Sequence, residues 1–256
     1  MKPYRLYILD LDGTLYRGKD VVPGSVETVR ELRRRGAMIR YMTNNSAKTP
    51  SEYALRLQGL GFDAEPSEIA SSSTATARWL KEHGYESAFV VGESGLFAAL
   101  TDAGIRHANG GPSHIASTQA DCVVVGICRQ FTYPWLCTAM QHILEGARFI
   151  ATNADATYPV ENGKLNPGAG SIVAAIQACT GEEPYVVGKP NPYVIELLLG
   201  ETGVKPEETL VVGDRMETDI VCGRRAGCDT HLVLTGVAVE APEGQSWSFD
   251  LTGLVR

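Results

Sequence analysis

Two aspartates two residues apart, Asp10 and Asp12, close an apolar run, Leu6 to Leu9, and are followed at once by Gly13 and Thr14. The carboxyl end of a buried strand is where doubly wound sheets hold their ligands. Side chains two apart on a strand face one side, and a turn at Gly13 can bring both carboxylates to one place. Carboxylates that close repel each other unless a cation or a shared proton intervenes. The spacing therefore points to a metal or an acid–base pair. Taken alone, it also fits an ordinary Asp-Gly turn with Asp10 as a helix cap.

The segment Gly213-Asp214-Arg215-Met216-Glu217-Thr218-Asp219 repeats the arrangement after the apolar Leu210 to Val212. Asp219 there also suits a helix N-cap. Thr43-Asn44-Asn45 ends a third strand-like run, and Gly188-Lys189-Pro190 follows a fourth. Either tripeptide alone reads as a turn. Four polar clusters at four strand ends make a pattern that single turns do not explain.

The elements that must carry these clusters alternate β-like and helix-like along the chain, which predicts an α/β fold with a mostly parallel sheet and helices on both faces. Strands are expected at Tyr4 to Leu9, Met38 to Met42, Ala88 to Val91, Cys122 to Ile127, Phe149 to Ala151, Tyr185 to Val187, Thr209 to Val212 and Thr230 to Leu234. Helices are expected from Ser25 to Arg35 before Gly36, from Pro50 to Leu57, and from a Ser73 or Thr74 cap to His83. Further helices fall at Leu96 to Leu100, Pro134 to Glu145, Ser171 to Cys179, Pro192 to Leu199 and Asp219 to Ala226. The middle rhythm suggests a small domain of its own, giving a core in two parts, 1–79 and 184–256, around an insert at 80–183.

The 256 residues suit one large domain or two modest ones at about 150 residues each. With 44% hydrophobic and 21% charged residues, the chain reads as globular rather than fibrous or disordered. Its apolar runs are far shorter than the roughly 18 residues of a membrane span, so no membrane partner is expected. A net charge of -7, with no basic run beyond Arg33-Arg34-Arg35, argues against a nucleic acid polymer. The six cysteines show no C-x-x-C pair and no zinc-like spacing with the histidines. Asp10 and Asp12 stand where a signal peptide would still be apolar, which predicts a cytoplasmic protein. Gly92-Glu93-Ser94-Gly95 lacks nucleotide-loop spacing and reads as a strand-to-helix turn.

Asp10-Leu11-Asp12-Gly13-Thr14, Thr43, Lys189 and Gly213-Asp214 with Asp219 resemble, in order and spacing, the four motifs of the haloacid dehalogenase superfamily. The insert between Thr43 and Lys189 looks like the type IIA cap of the NagD-like and p-nitrophenyl phosphatase group. Thr43-Asn44-Asn45-Ser46, Thr152-Asn153-Ala154-Asp155, Pro167-Gly168-Ala169-Gly170 and Gly188-Lys189-Pro190 resemble segments of that group. The resemblance covers nearly the whole chain and is weakest after about Gly236. It implies a Rossmann-like core with an inserted α/β cap.

What the resemblance implies for chemistry is phosphate monoester hydrolysis. Asp10 would attack phosphorus to form an aspartyl-phosphate. Asp12, an acid that the dehalogenases of the superfamily lack, would protonate the leaving group and then activate water. Three acids around a phosphate dianion need a cation, and hard oxygen ligands completed by waters describe Mg²⁺. The implied ligands are the Asp10 carboxylate, the Asp12 main-chain carbonyl and Asp214, with Asp219 acting directly or through water and Lys189. Lys189, Thr43, Asn44 and Asn45 would bind the phosphoryl oxygens, and the cap residues Asn153, Asp155 and Tyr158 would read the leaving group. Relatives acting on pyridoxal phosphate carry His at the position of Tyr158 and Arg at that of Ala47, and this chain has neither. The expected partner is a small phosphorylated metabolite: a sugar phosphate, a phosphoglycolate-like ester, a nucleotide or an aryl phosphate. A homodimer is also an expectation, since cap-to-cap dimers occur in related proteins. A phosphotransferase or mutase using the same Asp10, and a binding module without turnover, remain as alternatives.

Overall fold

The computed structural model describes residues 2–159 and 164–255. From the N-terminus the chain runs through β1 (Leu6–Asp10), a hairpin of β2 (Tyr16–Arg17) and β3 (Asp20–Val21), α1 (Ser25–Arg34), β4 (Met38–Thr43), α2 (Pro50–Gly59), β5 (Ile69–Ser71) and α3 (Ser72–Glu82). The middle stretch holds β6 (Ser87–Val91), α4 (Ser94–Asp102), β7 (Arg106–His107), β8 (Cys122–Val125), α5 (Tyr133–Leu144), β9 (Arg148–Ala151), a hairpin of β10 (Thr157–Pro159) and β11 (Leu165–Pro167), and α6 (Ala169–Thr180). The chain returns through β12 (Tyr185–Val186), α7 (Tyr193–Thr202), β13 (Thr209–Gly213), a π-helical turn (Met216–Ile220) running into α8 (Val221–Arg225), β14 (Asp229–Val233) and β15 (Trp247–Ser248).

One sheet has the order β15-β14-β13-β1-β4-β5, with every pairing parallel. The chain moves outward from β1 to β4 and β5, then resumes on the other side at β13. The strand order therefore reverses between β1 and β13, the place where doubly wound sheets open a crevice at their carboxyl ends. Alternation along β1 feeds two layers: Tyr7 and Leu9 pack with α1 and α2 residues such as Leu32 and Leu57, while Leu6 and Ile8 pack toward α3 and α7 through Leu80 and Ile195. The helix ends follow their sequence signals. Thr49 and Glu52 form a reciprocal capping box ahead of Pro50, and Gly36, at φ +86°, ends α1 in the left-handed conformation.

The second sheet, β12-β9-β8-β6-β7, is also parallel throughout. One face of it joins the same apolar cluster as the first sheet: Val90, Val124 and Ile150 share that cluster with Leu6 and Ile8 through α3 and α4. Its other face packs on α5 and α6 through Val123, Phe149 and Ile176. The strand at Tyr185, expected to open the second part of the core, instead pairs with β9 at the edge of this sheet. By sheet membership, the chain leaves the first sheet between Ser71 and Ser87 and returns to it between Val186 and Thr209. Among the described residues, no helix is long and apolar enough to cross a membrane.

Candidate active site

Asp10 is the last residue of β1, Thr43 the last of β4, and Asp214 follows the end of β13, so three adjacent strands of one sheet deliver three polar side chains to one crevice. The second sheet points its own strand ends at the same place. Ile127 follows β8, Asn153 and Asp155 follow β9, and Lys189 follows β12, and all of them line one cavity of about 80 Å³ with Asp10, Asp12 and Asp214. The four clusters are therefore gathered by two parallel sheets meeting carboxyl end to carboxyl end.

Lys189, 4% exposed, sits at the centre. Its Nζ donates to Asp10 Oδ1 at 2.5 Å and to Asp219 Oδ1 at 2.6 Å. Burial alone would pull the ammonium toward neutrality, but the two carboxylates overcome this and hold its pKa above the ordinary lysine value. Burial pushes Asp10 well above the usual carboxylate range, against the pull of Lys189 and with the repulsion of Asp219 and Asp214. Asp214 is raised to about 6, first by burial and then by Asp219, while the Val237 N–H donated to its Oδ2 at 2.7 Å works the other way. Asp219 accepts from the Arg215 N–H at 3.1 Å, a bond made possible by the π-helical turn that starts at Met216 rather than at the expected Asp219.

Carboxylate oxygens of Asp10, Asp214 and Asp219 all lie within 4.8 Å of one another. Three acids against one ammonium leave a charge deficit that a hard divalent cation would relieve, so this donor set fits Mg²⁺. The Asp12 carboxylate stands outside the cluster, in keeping with a main-chain contribution only. Asp12 is half-buried, and burial raises its pKa while Arg56 and Lys189 pull it back. The Arg56 guanidinium covers the neighbouring Tyr16 ring at 4.3 Å. Gly13, at φ +92°, lets the chain turn between the two acids and Asp214, where a Cβ would strike the Asp214 carboxylate.

The polar residues divide into two groups. Thr43 Oγ1 accepts from the Asn45 N–H at 3.1 Å and Asn45 Oδ1 from the Ala47 N–H at 3.0 Å, which leaves the Thr43 hydroxyl proton and the Asn45 amide hydrogens able to donate into the cavity. Asn44 is different. Its Nδ2 donates to Asp155 Oδ2 at 3.0 Å and to the Lys189 carbonyl at 3.2 Å, and its Oδ1 accepts from the Lys189 N–H at 2.9 Å. Its own carbonyl accepts from Ser72 Oγ at 2.5 Å and from Asn153 Nδ2 at 2.7 Å. The resemblance implies phosphate or substrate contacts for Asn44 and Asn153, and both line the cavity. Their side-chain amides also clasp the two sheets together, matching polar groups that the junction would otherwise bury unpaired.

Three participants carry no motif in the sequence. Ser72 is one serine in a run of three, and the Val237 amide is main chain, so neither announces itself. Arg129 could have been found: it follows the end of β8 as Asp155 follows β9, and its Nε donates to the Tyr158 hydroxyl at 3.2 Å.

This fold and this site define a haloacid dehalogenase-like hydrolase. The family model of that description matches residues 7–106, and a second, HAD-hydrolase-like model matches residues 186–250. The chain is 40% identical over 236 residues to a dihydroxyacetone phosphatase of Corynebacterium glutamicum, covering 92% of this chain and 82% of that protein. The structure of NagD from Escherichia coli K-12 matches with a TM-score of 0.85 at 32% identity, over 98% of both chains. A glycerol phosphate phosphatase from Mycobacterium tuberculosis, solved in complex with magnesium, matches with a TM-score of 0.87 at 31% identity, over 98% of this chain and 76% of that one. The chain belongs to the haloacid dehalogenase superfamily, in its NagD-like group with a type IIA cap. It is a phosphatase.

Proposed function

We propose that this phosphatase hydrolyses small sugar or polyol phosphate monoesters, with Mg²⁺ as its cofactor and Asp10 as its nucleophile. The observation that carries the reading is the Lys189 ammonium held between Asp10 and Asp219 on the floor of the cavity. That contact keeps the Asp10 carboxylate oriented and its charge compensated until phosphorus arrives. The size of the cavity, well below the roughly 300 Å³ of pockets that take drug-sized ligands, and the names of the relatives support a small substrate.

In the first step an Asp10 carboxylate oxygen bonds to phosphorus as the bond to the leaving oxygen breaks, and Asp12 gives that oxygen its proton. Burial raises the Asp12 pKa from its ordinary value, against the pull of Arg56 and Lys189, which is the direction this step needs. In the second step Asp12, now ionised, takes a proton from water as the water oxygen bonds to phosphorus and the Asp10 acyl phosphate opens. Lys189, the Thr43 hydroxyl and the Asn45 amide bind the phosphoryl oxygens throughout. Asp10 and Asp214, with the Asp12 carbonyl, would hold Mg²⁺, and Asp219 would act through Lys189. When bound, the cation neutralises negative charge and orients the phosphoryl group.

The test is phosphate release from p-nitrophenyl phosphate and a panel of metabolite monoesters, with Mg²⁺ and with EDTA. Release should need the metal, favour three- to six-carbon polyol and sugar phosphates, and vanish in Asp10→Asn with the fold intact. Undiminished release by that variant, or by the EDTA-treated enzyme, contradicts the proposal.

A further inference from the structure

Arg129 takes no part in the chemistry above, yet it is fixed at both ends. Its Nη1 donates to Glu93 Oε2 at 2.6 Å and its main-chain N–H to Glu93 Oε1 at 3.0 Å. Glu93 stands at the N-cap of α4, in the Gly92–Gly95 turn that phosphoryl transfer leaves without a role. The Arg129–Glu93 pair is half-exposed and so contributes little to folding stability. Its consequence is geometric.

From that anchorage Arg129 Nε donates to the Tyr158 hydroxyl, and the guanidinium lies 5.7 Å from the centre of the Tyr158 ring. Asn166 Nδ2 donates to the same hydroxyl at 3.4 Å. A phenolic oxygen can accept from such donors and has one proton to give. With two donors on the oxygen, what the hydroxyl offers a ligand is that proton. The ring itself packs against Ala47, Ile127 and Ala169, which holds the group at the cavity wall. Asp155 lines the same wall, with Oδ2 held by Asn44. Its Oδ1 has no hydrogen-bond partner among the described residues and is left to accept.

We propose that Arg129, anchored by Glu93, is a positioning residue that makes the Tyr158 hydroxyl a dedicated hydrogen-bond donor to an oxygen of the leaving group. The cap then selects phosphate esters whose carbon chain carries a hydroxyl or carbonyl over plain alkyl esters of the same length. This rests on the monoesterase reading above. A donor at Tyr158 and an acceptor at Asp155, both on the wall of this cavity, match a hydroxyl, which can accept from one and donate to the other. A bare methylene chain would leave both unmatched.

The experiment measures kcat/KM for glycerol phosphate and for n-propyl phosphate, two esters of equal carbon count, in the wild type, Arg129→Gln, Glu93→Gln, Tyr158→Phe and the Arg129→Gln/Tyr158→Phe double variant. The wild type should prefer glycerol phosphate clearly. Arg129→Gln and Tyr158→Phe should each cut that preference about tenfold, the effect of one hydrogen bond. The double variant should lose no more than either single one, and Glu93→Gln should move in the same direction. Thermal unfolding of each variant checks that the fold survives. A wild-type preference that Arg129→Gln and Glu93→Gln leave unchanged, or losses that add in the double variant, overturns the proposal alone. A wild type that treats the two esters alike overturns both this proposal and the sugar or polyol reading beneath it.

Discussion

The floor and the roof of the cavity are built by opposite strategies. On the floor, Asp10, Asp214, Asp219 and Lys189 are each under a tenth exposed, and Lys189 offsets only part of the charge of the three acids. On the roof, Asp155 and Tyr158 are only half-buried, and Tyr158 is steered by the half-exposed Arg129. A phosphoryl group presents the same oxygens in every substrate, so its site gains from rigid, desolvated charge. Leaving groups differ, and a half-open wall of a few hydrogen-bonding side chains can be retuned by single substitutions. On the proposed function, the floor therefore fixes the reaction and the roof ranks the substrates.

The strongest way to break that comparison is to remove the central charge. Lys189→Ala leaves Asp10 and Asp219 buried without their cation, and should lower kcat about a thousandfold while lowering the unfolding temperature. The loss should be by the same factor for every ester of a panel. Loss confined to some esters would mean that the floor takes part in selection. A smaller effect is expected at the clasp. Asn44→Ala strips partners from the Lys189 amide and from Asp155 and should destabilise the protein by about 3 kcal/mol through unmatched buried groups, read by denaturant unfolding. Activity toward all esters should fall with it, and the ranking of esters should blur as the roof loosens over the floor.

A third change, remote from both ends, sets the scale of an ordinary buried group. His231 on β14 has its two ring nitrogens within 2.8 Å of the Ser246 and Ser248 hydroxyls, and burial lowers its pKa from 6.5 to about 4. Between those values the unfolded chain binds a proton that the folded chain does not, so stability is full above pH 6.5 and declines as the pH falls toward 4. The unfolding temperature should drop by several degrees across that window, and His231→Gln should flatten the slope. An equal slope in the variant would place the acid sensitivity elsewhere, in carboxylates whose pKa the fold lowers, such as Glu52 and Asp121, since the raised acids of the floor take up protons in the folded state and act in the opposite direction.

The sequence made the floor legible and the roof much less so. Asp10, Asp12, Lys189 and Asp214 stand within three residues of the ends of apolar runs, and a charged residue at the end of a buried strand has few structural explanations. The longer elements were legible for a similar reason: α1 repeats its apolar positions at helical spacing, and β1 and β13 are uninterrupted apolar runs. Five pieces of sheet were not foreseen: the β2–β3 and β10–β11 hairpins and the strands β5, β7 and β15, each two or three residues long. So short a strand shows no alternation and is held by its neighbours rather than by its own pattern. The π-helical turn at Met216 was hidden because Asp219 also looks like a helix cap. The hydrogen bonds of Asn44 and Asn153 between the sheets were hidden because an asparagine at a strand end reads as a turn or a ligand site, and only the meeting of the two sheets supplies its partners.

The central claim is a covalent route through Asp10 with Asp12 serving both steps, and Asp12→Asn with p-nitrophenyl phosphate tests it most directly. This ester needs no leaving-group proton, so the variant should still load Asp10, but it should then stall for want of a base to activate water. Rapid mixing with Mg²⁺ should give a burst approaching one p-nitrophenolate per active site, followed by a slow steady rate, with phosphate on the peptide containing residue 10. Linear release at the wild-type rate, with no phosphate on that peptide, would contradict the account.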